Sequence, residues 1–292
     1  MSLNEEIRSK RPQLSTLSIN AYASTLRNLY KKVFDNDKIK LSNFKKTKEI
    51  LDYLKDVPSN KRKSILSALV VMTEADEYRE AMNKDINDYN QFISTQEKTE
   101  TQKENWITEK DIRKKYQELK KKALTLYNKN SPSMADINKI QDYIILSVTS
   151  GLYIPPRRLL DWTNMTIKDI NKEKDNFIDG NEFVFNRFKG SAKKDTQRVD
   201  IPKELKSILT KWIDLNPTNN LLFDTNGNKL SNVKLNQRLN KIFGKKISVN
   251  ALRHSYLTNK YGDMIQKKKE IEETMEDMGS SSKMLDTYVK KE

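Results

Sequence analysis

Residues 94–105, STQEKTETQKEN, hold no aliphatic side chain, and they separate two long stretches in which apolar residues recur at helical spacing. A stretch without aliphatic side chains has nothing to bury, so it divides whatever core the chain builds. The reading that follows is two domains, 1–93 and 106–292, joined by a polar linker at 94–105. The full length of 292 residues suits two domains of ordinary size.

In the first stretch Leu17, Ile19, Tyr22, Leu26, Leu29, Tyr30 and Val33 form an apolar stripe at three-to-four spacing over 16–34. The same pattern returns over 41–54, 60–73 and 77–92, which predicts a four-helix N-terminal domain. Beyond the linker, Thr108 with Asp111 resembles a capping box that opens a helix over 111–127. Another helix is expected over 134–150, ended by Gly151. Two short β runs then flank Asp179-Gly180-Asn181, a hairpin signal, and 197–201 alternates as a third strand. Helices are expected again over 203–215, 231–243, 250–261, 264–278 and 282–290. The fold class is mainly α, with a small three-stranded antiparallel sheet in the second domain.

Charge narrows the function. Lys and Arg number 55 against 40 Asp and Glu, a net charge of +15, which calls for a polyanionic partner, nucleic acid first. The first hundred residues carry a surplus of +3 and the remainder +12, and residues 231–260 contain seven basic side chains and no acidic one. Abundant Asn points to AT-rich coding, which enriches Lys everywhere and is the plainer source of the charge. With no Cys and one His, the chain has no disulfides, no Cys-ligated zinc, no thiol nucleophile and no His-rich metal site. No run approaches the length of a membrane span and residues 1–10 lack an apolar leader core, so a soluble intracellular protein is expected.

Four segments carry residues suited to phosphate chemistry, and each alone has a plain structural explanation. In Pro155-Pro156-Arg157-Arg158-Leu159-Leu160-Asp161-Trp162, a spacing of three would put Arg158 and Asp161 on one helix face, as an ordinary ion pair also would. Lys189, in Phe185-Asn-Arg-Phe-Lys-Gly190, sits where a hairpin connection would leave it exposed and mobile. Asn250-Ala-Leu-Arg253-His254 opens a helix in the most basic stretch. There Asn250 suits an N-cap, and His254 points away from Arg253, as a core or supporting residue would. Near the end, Gly279-Ser280 is followed by Tyr288, which alone reads as a packing aromatic.

In this order the segments resemble the tyrosine recombinase (phage integrase) family, in a version similar to a branch found in viruses and mobile elements. The family pattern falls on Arg158 with Asp161, Lys189, the Asn250–Arg253–His254 box, Gly279-Ser280 and Tyr288, and the resemblance covers nearly the whole chain. It implies an N-terminal helical core-binding domain that grips DNA, a catalytic C-terminal domain, and a homo-oligomer (dimer or tetramer) on double-stranded DNA. The implied activity is strand cleavage and rejoining through a 3′-phosphotyrosyl intermediate, with no metal, ATP or other cofactor. Tyr288 would be the nucleophile and Arg158 and Arg253 the phosphate clamp. Lys189 would be the acid, and Ser280 would supply a further hydrogen bond. Basic surfaces around Lys45, Lys46, Lys48 and around Lys245, Lys246 would close round the duplex.

The chain also departs from the pattern. Asn250 replaces a His or Lys, and an amide cannot act as a base. Ser280 replaces a His or Trp, and its spacing to Tyr288 makes Gly279 an alternative aligned position. Four residues follow Tyr288, where many members have a further helix that docks on a neighbour. These departures keep two alternatives open: a catalytically degenerate DNA-binding protein of the same fold, and a type IB topoisomerase-like enzyme. Cytoplasm of a prokaryotic host, nucleus and viral factory all fit the expected location.

Overall fold

Ser2 and Ser15 accept hydrogen bonds from the backbone N–H groups of Glu5 and Ser18, opening helices α1 (Leu3–Lys10) and α2 (Thr16–Phe34). A computed structural model describes residues 2–191 and 194–290 of the protein. The chain divides into two units, Met1–Lys98 and Thr99–Glu292.

The first unit continues with a 3-10 turn (Leu41–Lys45), α3 (Thr47–Leu54), α4 (Ser59–Thr73) and α5 (Asp76–Ser94). Three of the four expected helices are present, while the expected helix 41–54 is a 3-10 turn followed by α3, and they are preceded by α1, which buries Leu3 and Ile7 in the same core as Leu26, Tyr30, Phe44 and Tyr78. Asp85, fully buried, is gripped by Arg62 through Nε at 2.9 Å, a charge pair that satisfies both groups inside the unit.

The second unit begins with α6 (Glu100–Glu104), capped reciprocally by Thr99 and Gln102. Part of the segment read as linker from its composition is therefore a capped helical turn. Asn105 accepts from the Lys246 N–H at 3.0 Å, and Lys245 Nζ donates to the Trp106 carbonyl at 2.6 Å. The unit continues with α7 (Glu109–Tyr127), α8 (Met134–Thr149), α9 (Leu159–Thr163), β1 (Phe177–Asp179), β2 (Glu182–Phe185), β3 (Gln197–Asp200), α10 (Lys203–Leu215), α11 (Asn232–Phe243), α12 (Val249–Asp277), a 3-10 turn (Ser282–Met284) and α13 (Leu285–Tyr288).

The sheet is antiparallel in the order β1-β2-β3, with Phe177 opposite Val184 and Phe185 opposite Gln197. Gly180, at φ +57, makes the β1–β2 turn. Trp162 of α9 meets Phe183 and Phe185 edge-on at 5.2 and 5.7 Å, which fixes α9 to the sheet. Among the described residues no helix is long and apolar enough to cross a membrane.

Two expectations are corrected at the C-terminal end. The expected helices 250–261 and 264–278 are one helix, α12, of 29 residues. Gly262 takes a helical φ within it, and a Cβ there would meet no other atom within 4 Å. The expected helix 282–290 is a 3-10 turn followed by the short α13.

One cap makes stability depend on pH. Asp136, in the first turn of α8, accepts from Lys129 Nζ at 2.9 Å, from the Ser133 hydroxyl at 2.8 Å and from the Ser133 N–H at 3.1 Å. These partners, Lys129 first, pull its pKa from 3.8 to about 2. A lowered carboxylate contributes stability above its unfolded pKa and loses it as pH falls through the folded value. Wild-type protein is therefore expected to lose more stability between pH 4 and pH 2 than Asp136→Asn does, read as urea midpoints. Parallel pH curves for the two proteins would contradict the assignment.

Candidate active site

Pro155 and Pro156 delay the start of α9, so that Arg158 becomes its N-cap in extended geometry, φ −73 and ψ 156. Arg158 is therefore not helical, and the expected pairing of Arg158 with Asp161 on one helix face does not form. Arg157 takes that place. Its Nε donates to Asp161 Oδ2 at 2.8 Å, its Nη2 donates to Gln197 Oε1 of β3 at 2.7 Å, and its guanidinium lies 3.8 Å from the centre of the Phe185 ring. A guanidinium held at two edges and one face is fixed in orientation before any ligand arrives. Arg158 is exposed, and its carbonyl accepts from the Asp161 N–H at 3.1 Å, while its side chain makes no hydrogen bond or ion pair among the described residues.

Asp161 is 4% exposed at its side chain. Burial pushes its pKa up, and the attraction of Arg157, then of Arg158, opposes that shift. Its Oδ1 has no hydrogen-bond partner.

Arg253 reaches the same place from the start of α12. Its Nε donates to the Pro156 carbonyl at 3.2 Å and its Nη1 to Asn250 Oδ1 at 3.4 Å. Arg157, Arg158 and Arg253 thus converge on one cavity of about 350 Å³, lined also by Pro155, Pro156, Asp161, Gln197 and Val199. The wall is held on both sides. Gly151, at φ +87, lies so close to Tyr256 that a Cβ would sit 2.6 Å from its ring, so only glycine lets the 151–158 loop approach α12. Tyr153 is hydrogen-bonded to Tyr116, which also bonds Tyr143 at 3.0 Å. This ties the loop to α7 and α8, and burial pushes the Tyr116 phenol up.

The remaining expected residues fall in several places. Asn250 is not the N-cap; Ser248 is, accepting from the Ala251 N–H at 3.1 Å, while Asn250 lies in the first turn and braces Arg253. His254 faces away from Arg253 as expected. Contrary to expectation, it is exposed rather than in the core, lining a second cavity with Lys246, Ser248 and Asn250. Lys189 is exposed on the β2–β3 connection and does not line the arginine cavity.

Ser280 and Tyr288 lie elsewhere. Gly279, at φ +70, and Ser280 close α12 as a Schellman motif, the Ser280 N–H donating to the Met275 carbonyl and the Gly279 N–H to that of Glu276, each at 2.8 Å. Tyr288 is 56% exposed. From Arg253 to Asp277 the helix rises about 36 Å, at roughly 1.5 Å per residue, and the turn carrying Tyr288 packs at that far end. The structure brings the arginines together and leaves the hydroxyls outside.

On the first unit Lys45, Lys46 and Lys48 are all exposed, and Lys46 also pairs with Glu49 at 3.2 Å and lies over Phe34. Lys246 is exposed, and Lys245 is partly committed to the Trp106 carbonyl. Sequence reasoning missed Arg157, Gln197 and Phe185. The i,i+4 spacing of Arg157 and Asp161, directly after two prolines, was the available signal for the first.

No family model matches the chain, and no curated protein matches it. Among solved structures it is similar to a lambda integrase dimer bound to a COC′ core site, at 14% identity, covering 91% of this chain and 72% of that one with a TM-score of 0.46. It is similar to the XerH site-specific recombinase bound to its difH substrate in a pre-cleavage complex, at 15% identity, covering 86% and 72% with a TM-score of 0.39. A lambda integrase tetramer bound to a Holliday junction is similar at 12% identity, covering 88% and 72% with a TM-score of 0.38.

Proposed function

We propose that the protein is a site-specific DNA recombinase or integrase that cuts and rejoins strands through a 3′-phosphotyrosyl link. The observation that carries this reading is the convergence of Arg157, Arg158 and Arg253 on one cavity, together with the order of sequence motifs that ends in Tyr288. A phosphodiester entering the cavity meets two oriented guanidinium groups, Arg157 and Arg253, and a third, Arg158, at an exposed position. Planar forks suit the non-bridging oxygens and offset the charge that grows on them as phosphorus becomes five-coordinate.

In the proposed step Tyr288 Oη, which is exposed, gives its proton to solvent water as it bonds to phosphorus, and the bond from phosphorus to the 5′ oxygen breaks. Lys189 gives that oxygen a proton. The products are a 3′-phosphotyrosyl link and a free 5′-hydroxyl. The phosphodiester bond energy is kept in the link, so the reverse attack by a 5′-hydroxyl reseals without ATP. Ser280 adds a hydrogen bond when its segment is in place. Double-stranded DNA is the partner, held also by the exposed lysines Lys45, Lys48 and Lys246.

The distance between Tyr288 and the arginines favours a second reading, a DNA-binding protein of the same fold that no longer cleaves. Both readings are tested by incubating the protein and its Tyr288→Phe variant with a library of nicked random duplexes. The proposal expects detergent-resistant adducts with wild type and none with the variant. Salt-sensitive DNA binding with no adduct from either protein is the result of a degenerate binder.

A further inference from the structure

We propose that the groove between α7 and α10 binds a ring-bearing phosphate monoester, a mononucleotide in size, and that the bound ligand steadies the loop that carries the arginines. The inference goes beyond the recombinase reading and does not depend on it.

Two helix faces make the groove. Lys120, Leu124 and Tyr127 recur at i, i+4 and i+7 along α7, and Lys203, Ser207 and Lys211 at i, i+4 and i+8 along α10, so each set shares one face. Both faces line one cavity of about 460 Å³, with Tyr143 of α8 and Tyr153 also in its wall. That volume suits a single small ligand.

Charge selects the ligand. The side chains of Lys120, Lys203 and Lys211 make no hydrogen bond or ion pair among the described residues. Against these three ammonium groups the cavity sets one carboxylate, Glu204, which leaves a surplus of two positive charges. A phosphate monoester carries about −2 at pH 7, and lysine binds phosphate as a point charge.

The ring finds its own surface. Leu124, 46% exposed, and Ile208 stand in the wall with Tyr127, and a flat apolar body laid on them takes them out of water. The Tyr127 hydroxyl is buried with no hydrogen-bond partner, and a ligand closing on that wall gives it one.

Tyr153 links the groove to the arginines. It lines the groove, while Pro155, Pro156, Arg157 and Arg158 of the same loop line the arginine cavity. A ligand packed on Tyr153 therefore favours the loop conformation that presents Arg157.

The test titrates each of the four common ribonucleoside 5′-monophosphates by calorimetry against wild type, Lys203→Ala/Lys211→Ala, Ser207→Trp and Arg253→Ala. The three α10 positions are exposed; the double substitution removes charge and the tryptophan fills the groove. At least one nucleotide is expected to bind wild type and Arg253→Ala alike, and to bind both α10 variants about tenfold more weakly or worse. Inorganic phosphate and the matching nucleoside should each fall short of that nucleotide by about tenfold, since each keeps only part of the contacts. No saturable binding of any nucleotide at millimolar concentration overturns the proposal. So does a loss confined to Arg253→Ala, which would place the nucleotide in the arginine cavity. An equal loss of duplex DNA affinity in the double variant overturns it as well, because the lysines would then belong to a DNA surface.

Hydrogen exchange reads the effect on the loop. Saturating nucleotide should slow the amides of residues 151–154 about tenfold in wild type and leave them unchanged in Ser207→Trp. Exchange in the wild-type loop that ignores bound nucleotide would overturn the link to the arginines.

Discussion

Arg253→Ala is expected to lower adduct formation by roughly 10²–10³-fold, about 3–4 kcal/mol of transition-state stabilisation, as when one oriented donor is removed from an oxyanion site. DNA affinity should change far less, because each phosphate contact is one of many and binding is summed over all of them. Arg157→Lys should show the same split. Lysine keeps the charge but cannot reproduce a fork that reaches Asp161 and Gln197 while stacked on Phe185. The check is a pair of measurements on one DNA, single-turnover adduct yield and a binding titration. Equal losses in both would show that these arginines only hold DNA.

The second large effect is on folding. Asp161→Ala removes the partner of Arg157, whose side chain is 17% exposed, and leaves a half-buried guanidinium without a counter-charge. A loss of about 3 kcal/mol is expected in urea unfolding. Asp161→Asn should cost less than half as much. The amide oxygen still accepts from Arg157, and the desolvation that raises the Asp161 pKa disappears with the charge. The pH dependence has the opposite sense to that of Asp136. A carboxyl whose folded pKa is raised contributes most stability below its unfolded pKa, and that contribution is lost as pH rises through the folded value. Equal losses in the Ala and Asn variants would contradict burial as the cause of the shift.

The sheet was legible in the sequence because turn chemistry is local: Asp179-Gly180-Asn181 between aromatic β runs allows few structures, and the hairpin is where it was expected. The apolar run of α8 was legible for a similar reason, since a helix buried along most of its length announces itself. The arginine cavity was half legible. Arg253 was found, but the choice between Arg157 and Arg158 depends on where α9 starts. Two prolines move that start by one residue, enough to exchange their roles.

The C-terminal helix was misread at Gly262-Asp263. Glycine weakens a helix by only about 1 kcal/mol, and helix formers on both sides outweigh it. The capped turn α6 was hidden in the opposite way: a composition poor in apolar residues concealed the Thr99–Gln102 capping box.

In the proposed reaction Tyr288 becomes joined to DNA. The most direct measurement digests the trapped adduct and identifies the DNA-linked peptide by mass spectrometry, together with the DNA end that it holds. The predicted result is a peptide containing Tyr288 joined to a 3′-phosphate, with a free 5′-hydroxyl on the released strand. A link through any other residue, or to a 5′-phosphate, would contradict it.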